Sequence, residues 1–109
     1  MPPKDIFQSD GVLDGYIPSV GIEAVAVAAG LSPVLPVLRP VPGFALRALD
    51  PVSAPVSGNL GGRTAVFLQY PQRQGSDGHF VFYDIEDARR QADGFISSLA
   101  RTGTASLPP

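Results

Sequence analysis

Cysteine is absent from the 109 residues, and with it go disulfide frameworks, thiolate catalysis and cysteine-ligated metal. Histidine occurs once, as His79, with no second histidine and no Ser or carboxylate motif at a recognisable spacing. There is no excess of positive charge. A formal net charge of −2 gives no electrostatic case for nucleic acid or an anionic membrane surface. The start lacks the basic residue followed at once by an apolar run that a secretory signal needs, since Lys4 is followed by Asp5, Asp10 and Asp14. The most apolar window, residues 20–38, contains Glu23 and is broken by Pro33 and Pro36, so it reads as part of a domain and not as a membrane span. These absences point to a cytoplasmic or virion location.

What is present is concentrated in the second half. Residues 63–70 (RTAVFLQY) hold β-favouring side chains without a breaker. The two faces, Val66, Leu68, Tyr70 and Ala65, Phe67, Gln69, are both largely apolar, which predicts a central strand covered on both sides. Pro71 ends it. After a turn-rich connection, residues 71–78, the run His79–Tyr83 (HFVFY) reads as a second strand, with a hairpin as the economical pairing. Asp84 stands where a helix N-cap belongs, with Glu86 and Asp87 in the first turn. Ala88, Ala92, Phe95, Ile96 and Leu99 then form one apolar stripe at helical spacing, Arg89 and Asp93 are spaced for an ion pair, and Gly103 suits the residue after the helix. Gly94 is a misfit, because a mid-helix glycine costs about 1 kcal/mol against alanine.

The first half is rich in proline, glycine, alanine and valine. Residues 1–18 read as an extended arm with two Asp-Gly turns. Residues 20–29 fit a short helix ended by Gly30, although the alternation of valine and alanine over 24–27 fits a strand nearly as well. A proline every three or four residues over 31–42 favours polyproline II or a sheet edge. Residues 44–49 (FALRAL) read as a third strand, and residues 51–62 as a flexible loop. The expected fold is therefore α+β: a small antiparallel sheet of about three strands with a carboxyl-terminal amphipathic helix on it. An extended region carrying the short helix precedes it. The division is an arm at 1–18 and one domain at 19–109, built around a ββα unit at 63–101.

Each constellation that would carry chemistry has a simpler structural reading. Asp84, Glu86 and Asp87 are explained by capping. Gly58, Gly61 and Gly62 open a strand, whereas a phosphate-cradling loop opens a helix. Asp10-Gly11 and Asp14-Gly15 lack the alternating oxygen ligands and distal Glu of a calcium loop. A catalytic His79 acting through Asp77 or Asp84 is weighed against an ordinary structural histidine, and the structural role is preferred. No cofactor, metal or catalytic residue is expected, and the chain is read as no enzyme, with a small enzyme the least favoured alternative.

Apolar side chains in the arm argue against a solvated tail, because exposed apolar surface costs roughly 25 cal/mol per Å². Phe7, Leu13 and Tyr16 are accordingly candidate partner-binding residues, and Arg90 and Arg101 on the last helix are candidates for an acidic partner. The expected role is a structural or assembly protein acting through protein–protein contacts, in a homo-oligomer or larger assembly. The seven Arg to one Lys suggest a GC-rich coding genome, so a phage or virion component fits. The alternative is a small regulatory or inhibitory protein that docks on a larger partner.

Overall fold

The strand expected at residues 63–70 is the axis of the molecule. The computed structural model describes residues 2–109. In chain order its elements are β1 (Ile6–Gly11), α1 (Ser19–Ala29), β2 (Ser32–Pro33), α2 (Pro42–Leu46), β3 (Val56–Ser57) and β4 (Ala65–Tyr70). A 3₁₀ turn (Gly78–Phe80), α3 (Val81–Asp84), α4 (Glu86–Thr102) and β5 (Ser106–Leu107) follow. All six residues of β4 are buried. It lies between β1 and β2 in the order β1-β4-β2, and both neighbours run parallel to it. The fold is α+β as expected, but the main sheet is parallel. A separate antiparallel pair joins β3 to β5.

Alternation along β4 sorts the core into two layers. Ala65 and Phe67 pack with Leu31, Ala26 of α1 and Phe44 of α2 on one face. Val66, Leu68 and Tyr70 pack on the other with Ala88 and Phe95 of α4, Val56 of β3 and Leu107 of β5. A strand buried on both faces has no side facing water, which is why its sequence is apolar apart from Gln69, whose amide is satisfied by the Leu38 and Arg39 backbone.

Four expectations give way here. Residues 6–11 of the arm pair with β4 along their whole length, from Ile6 opposite Ala65 to Gly11 opposite Tyr70, so they form an edge strand. Asp5 fastens its start by accepting from the Thr64 amide at 2.9 Å and from Arg63 at 3.1 Å. Residues 79–83 are not a strand. Both edges of β4 are already occupied, so a hairpin has nowhere to pair, and Asp77 accepts from the His79 amide to start a 3₁₀ turn instead. Residues 44–49 are not a third strand either. Pro42 opens the short helix α2, a position where its missing N–H is not needed. Finally, Asp84 ends α3 rather than capping α4, and binds Ser76 and Arg73. Ile85 stands at the N-cap of α4.

α4 ends as expected at Gly103, with φ +79°, but its buried face is turned one residue from the apolar stripe. Ala88, Gln91, Phe95 and Ser98 are buried while Ile96 and Leu99 are exposed. Two polar residues face inward because each has partners. Gln91 accepts from the Tyr70 hydroxyl at 2.7 Å, and Ser98 Oγ accepts from the Ser106 amide at 2.7 Å. Arg89 turns to the carbonyls of Phe82 and Tyr83 instead of Asp93. A β-carbon on Gly94 would lie 2.7 Å from the Pro108 ring, so this glycine marks the close approach of the carboxyl-terminal segment. α1 covers residues 19–29, and Gly30 follows it in the left-handed conformation (φ +74°), settling the helix over the strand. No helix of the described residues is long and apolar enough to cross a membrane.

Candidate functional site

Parallel sheets place ligands and partners at the carboxyl ends of their strands, where successive connections leave over opposite faces. Here the chain leaves β1 over the α1 face and β4 over the α4 face. Two groups of side chains lie at that end.

The first is held by a backbone contact. A β-carbon on Gly11 would stand 1.8 Å from the Gly78 carbonyl oxygen, and one on Gly78 would stand 2.3 Å from the Val12 oxygen. Only two glycines allow the end of β1 and the 3₁₀ turn to touch. Across this contact Asp77 accepts from the Gly15 amide at 2.9 and 3.1 Å, and Asp14 Oδ2 meets His79 Nδ1 at 3.2 Å. Burial pushes the Asp14 carboxyl up, but the Ile17 and Tyr16 amides and the His79 ring outweigh it and hold the group below its ordinary value. His79 therefore faces Asp14, while Asp77 touches only its backbone and Asp84 lies with Ser76. Tyr16 packs against His79 with ring centres 4.6 Å apart and planes tilted by 39°, and meets Phe80 edge-on at 5.7 Å, and Tyr83 follows at 6.4 Å from Phe80. Tyr16 is 67% exposed and Tyr83 81%. Leu13 and Ile17 lie open in the same loop, and the surface runs on into α1 through Val20 and Val25.

The second group is buried. Asp10, 1% exposed, is paired across the sheet with Gln69, and Glu23 projects from α1. The Ser19 hydroxyl donates to Asp10 at 3.3 Å, while Asp10 Oδ2 and Glu23 Oε1 have no hydrogen-bond partner. Arg39 Nε lies 3.4 Å from Glu23 but out of line for a hydrogen bond. Burial raises both carboxyls, against the attraction of Arg39, and the Asp10 charge raises Glu23 further. Gln69 holds the Arg39 loop in place by accepting from the Leu38 and Arg39 amides at 2.9 and 3.0 Å and donating to the Arg39 carbonyl at 3.0 Å. Beyond Arg39 and Gln69 opens a mainly apolar cavity of about 140 Å³ walled by Phe44, Phe67 and Leu49.

The residues expected to bind partners separate in this arrangement. Leu13 and Tyr16 belong to the exposed surface. Phe7 faces inward, 5.6 Å from the Phe95 ring and 6.3 Å from Phe82, because its strand is part of the sheet. Arg90 pairs with Asp87 at 3.0 Å, and Arg101 turns back to the Ser97 carbonyl; both are exposed on α4. Residues 79–83 carry the aromatic signal of this surface in sequence, but read as a strand they point into a core. The buried acids and Arg39 have no local motif. They are separated by 13 and 16 positions and meet only through the topology.

No known protein family, characterised protein or solved structure matches the chain.

Proposed function

We propose that the protein is a non-enzymatic structural or assembly protein that associates with further copies of itself through the outer face of α1 and the adjoining aromatic loop. One observation carries the reading. α1 is apolar on nearly all sides, a pattern that belongs to helices covered all round, yet Val20, Ala24, Val25 and Ala28 are exposed. Its only charged residue, Glu23, points inward. A β-carbon at Gly21 would meet nothing within 4 Å, so a second helix can approach closely along this small-residue face.

The adjoining residues Tyr16, Phe80 and Tyr83 have the aromatic composition of an interface centre, and the Asp14 and His79 side chains among them are paired with each other. Leu13 adds backbone strain, holding φ +62° while its side chain is open to solvent. The outer side of α1, which carries no charge, suits a second copy better than a strongly charged partner.

Sedimentation velocity tests this at about 0.1 mM protein, a range in which weak homodimers are populated. The wild-type chain should sediment as a dimer or larger species, and Val25→Glu with Tyr16→Ser should sediment as a monomer with an unchanged circular dichroism spectrum. A wild-type chain that stays monomeric, or variants that assemble unchanged, would overturn the proposal.

A further inference from the structure

The 140 Å³ cavity lies apart from the α1 face, between α2, the loop that follows β2, and β4. Its walls are apolar, with Phe44 and Phe67 buried, Leu49 partly so, and the two rings 5.3 Å apart. An apolar cavity of about 150 Å³ is the size that accepts one benzene ring.

Two ionised side chains line this cavity, one of each sign. Arg39 is engaged with Glu23 through Nε alone, and its two terminal nitrogens make no hydrogen bond among the described residues. Its backbone is fixed on both sides by Gln69, so the guanidinium is carried on a rigid loop. Asp50 is exposed and has no ion pair among the described residues. A ligand with only a carboxylate would meet Arg39 but be repelled by Asp50, and one with only an ammonium would meet the reverse. A ligand with both groups on the carbon that bears its apolar side chain satisfies the whole lining.

We infer that this cavity is a binding site for a free apolar α-amino acid, with its side chain against the paired rings of Phe44 and Phe67, its carboxylate on Arg39 and its ammonium on Asp50. The place is the carboxyl end of the sheet, where the chain leaves β2 toward α2 on one face and β4 toward α4 on the other. The guanidinium gives a planar pair of donors matched to a carboxylate. The inference stands on residues separate from the proposed assembly face, so either fails without the other.

Three probes that share a phenyl group test it: L-phenylalanine, 3-phenylpropanoate, which lacks the ammonium, and phenethylamine, which lacks the carboxylate. Titration followed by amide chemical shifts should show phenylalanine perturbing Phe44, Leu49 and Phe67. Each truncated probe should bind at least about tenfold more weakly, the usual effect of leaving a polar partner unmet. Asp50→Asn, at an exposed position, should bring phenylalanine down to the affinity of 3-phenylpropanoate. Arg39→Gln should bring it down to that of phenethylamine. Ala45→Trp, exposed at the rim, should abolish binding of all three. Because Arg39→Gln also strips Glu23 of its partner, Asp50→Asn carries the test if that variant is unfolded. Equal affinity for the three probes, tighter binding of 3-phenylpropanoate than of phenylalanine, shifts outside the cavity, or no shift at about 20 mM, well beyond ordinary ligand affinities, would each overturn the assignment.

Discussion

Gly11→Ala tests how the exposed aromatic loop is held. Neither Gly11 nor Gly78 has a positive φ, so what the fold requires of them is space. An added β-carbon on Gly11 would fall 1.8 Å from the Gly78 oxygen and 2.6 Å from its carbonyl carbon, where ordinary contact begins near 3.4 Å. One side must retreat by about 1.6 Å. β1 is fixed to β4 through Tyr70, so the 3₁₀ turn is the part that moves. It carries with it the Asp77–Gly15 hydrogen bonds and the His79–Asp14 contact. Forced overpacking costs about 1–3 kcal/mol, and each broken hydrogen bond roughly 0.5–1.5 kcal/mol. The expected loss is about 3 kcal/mol, a fall in Tm of roughly 12–24 °C for a domain of this size. Urea unfolding followed by circular dichroism measures it, with the slope expected to stay unchanged. Gly78→Ala should behave alike, since its β-carbon would lie 2.3 Å from the Val12 oxygen. Gly21→Ala is the control, read at a protein concentration low enough to keep the chain monomeric: with open space around it within the chain, it should gain up to about 1 kcal/mol from helix propensity. If Gly11→Ala and Gly78→Ala both fall within about 0.5 kcal/mol of wild type, the size of an ordinary surface change, the contact is not as described.

The buried acids set a dependence on pH. Asp10 and Glu23 titrate above their ordinary values in the fold, so the folded chain binds protons more tightly than the unfolded one, and their contribution is fully present below pH 3.8 and 4.5 and is lost as pH rises. Asp5 and Asp14, held below their ordinary values, act in the opposite sense and lose their contribution as pH falls. Asp10→Asn should therefore gain in stability relative to wild type between pH 3 and pH 7; a difference that is constant or shrinks across that range, measured by urea unfolding, refutes the burial argument. Gly94→Ala should destabilise despite better helix propensity, because the new methyl meets the Pro108 ring at 2.7 Å. Shortening the chain by Pro108 and Pro109 should turn the same substitution neutral or stabilising, and equal effects in both backgrounds in thermal melts would refute the contact.

Much of the central layer was legible in the sequence for a physical reason. Residues 65–70 are largely apolar on both faces and rich in β-favouring side chains, a pattern that suits a strand between two layers. The carboxyl-terminal ends of α1 and α4 were legible because Gly30 and Gly103 follow them in the left-handed conformation, whereas the start of α4 was misplaced at Asp84. The direction of the sheet was not. Strand pairing is set by which distant segment reaches the edge of β4, and nothing local marks Ile6–Gly11 as that segment. The aromatic run 79–83 has strand propensity, but Asp77 and the contact at Gly11 turn it into helix, and propensity yields to such context. The face of α4 was displaced because Gln91 and Ser98 are buried through hydrogen bonds that no hydrophobic pattern records.

The pairing of β1 with β4 constrains the order in which the molecule can form. Ile6 meets Ala65 at a separation of 59 positions along the chain, and Ser32 of β2 meets Val66 at 34, so every pairing in the main sheet waits for the same late segment. A fragment ending before Ala65 would contain the two outer strands of the main sheet and the apolar helix α1 with no template on which to assemble. Closing such long loops must precede any reward from the sheet, which places this small domain among the slower folders for its length. During that interval the valines of α1 and the apolar residues of β1 are exposed together, and the partly made chain is most open to association with its own kind before its central strand arrives.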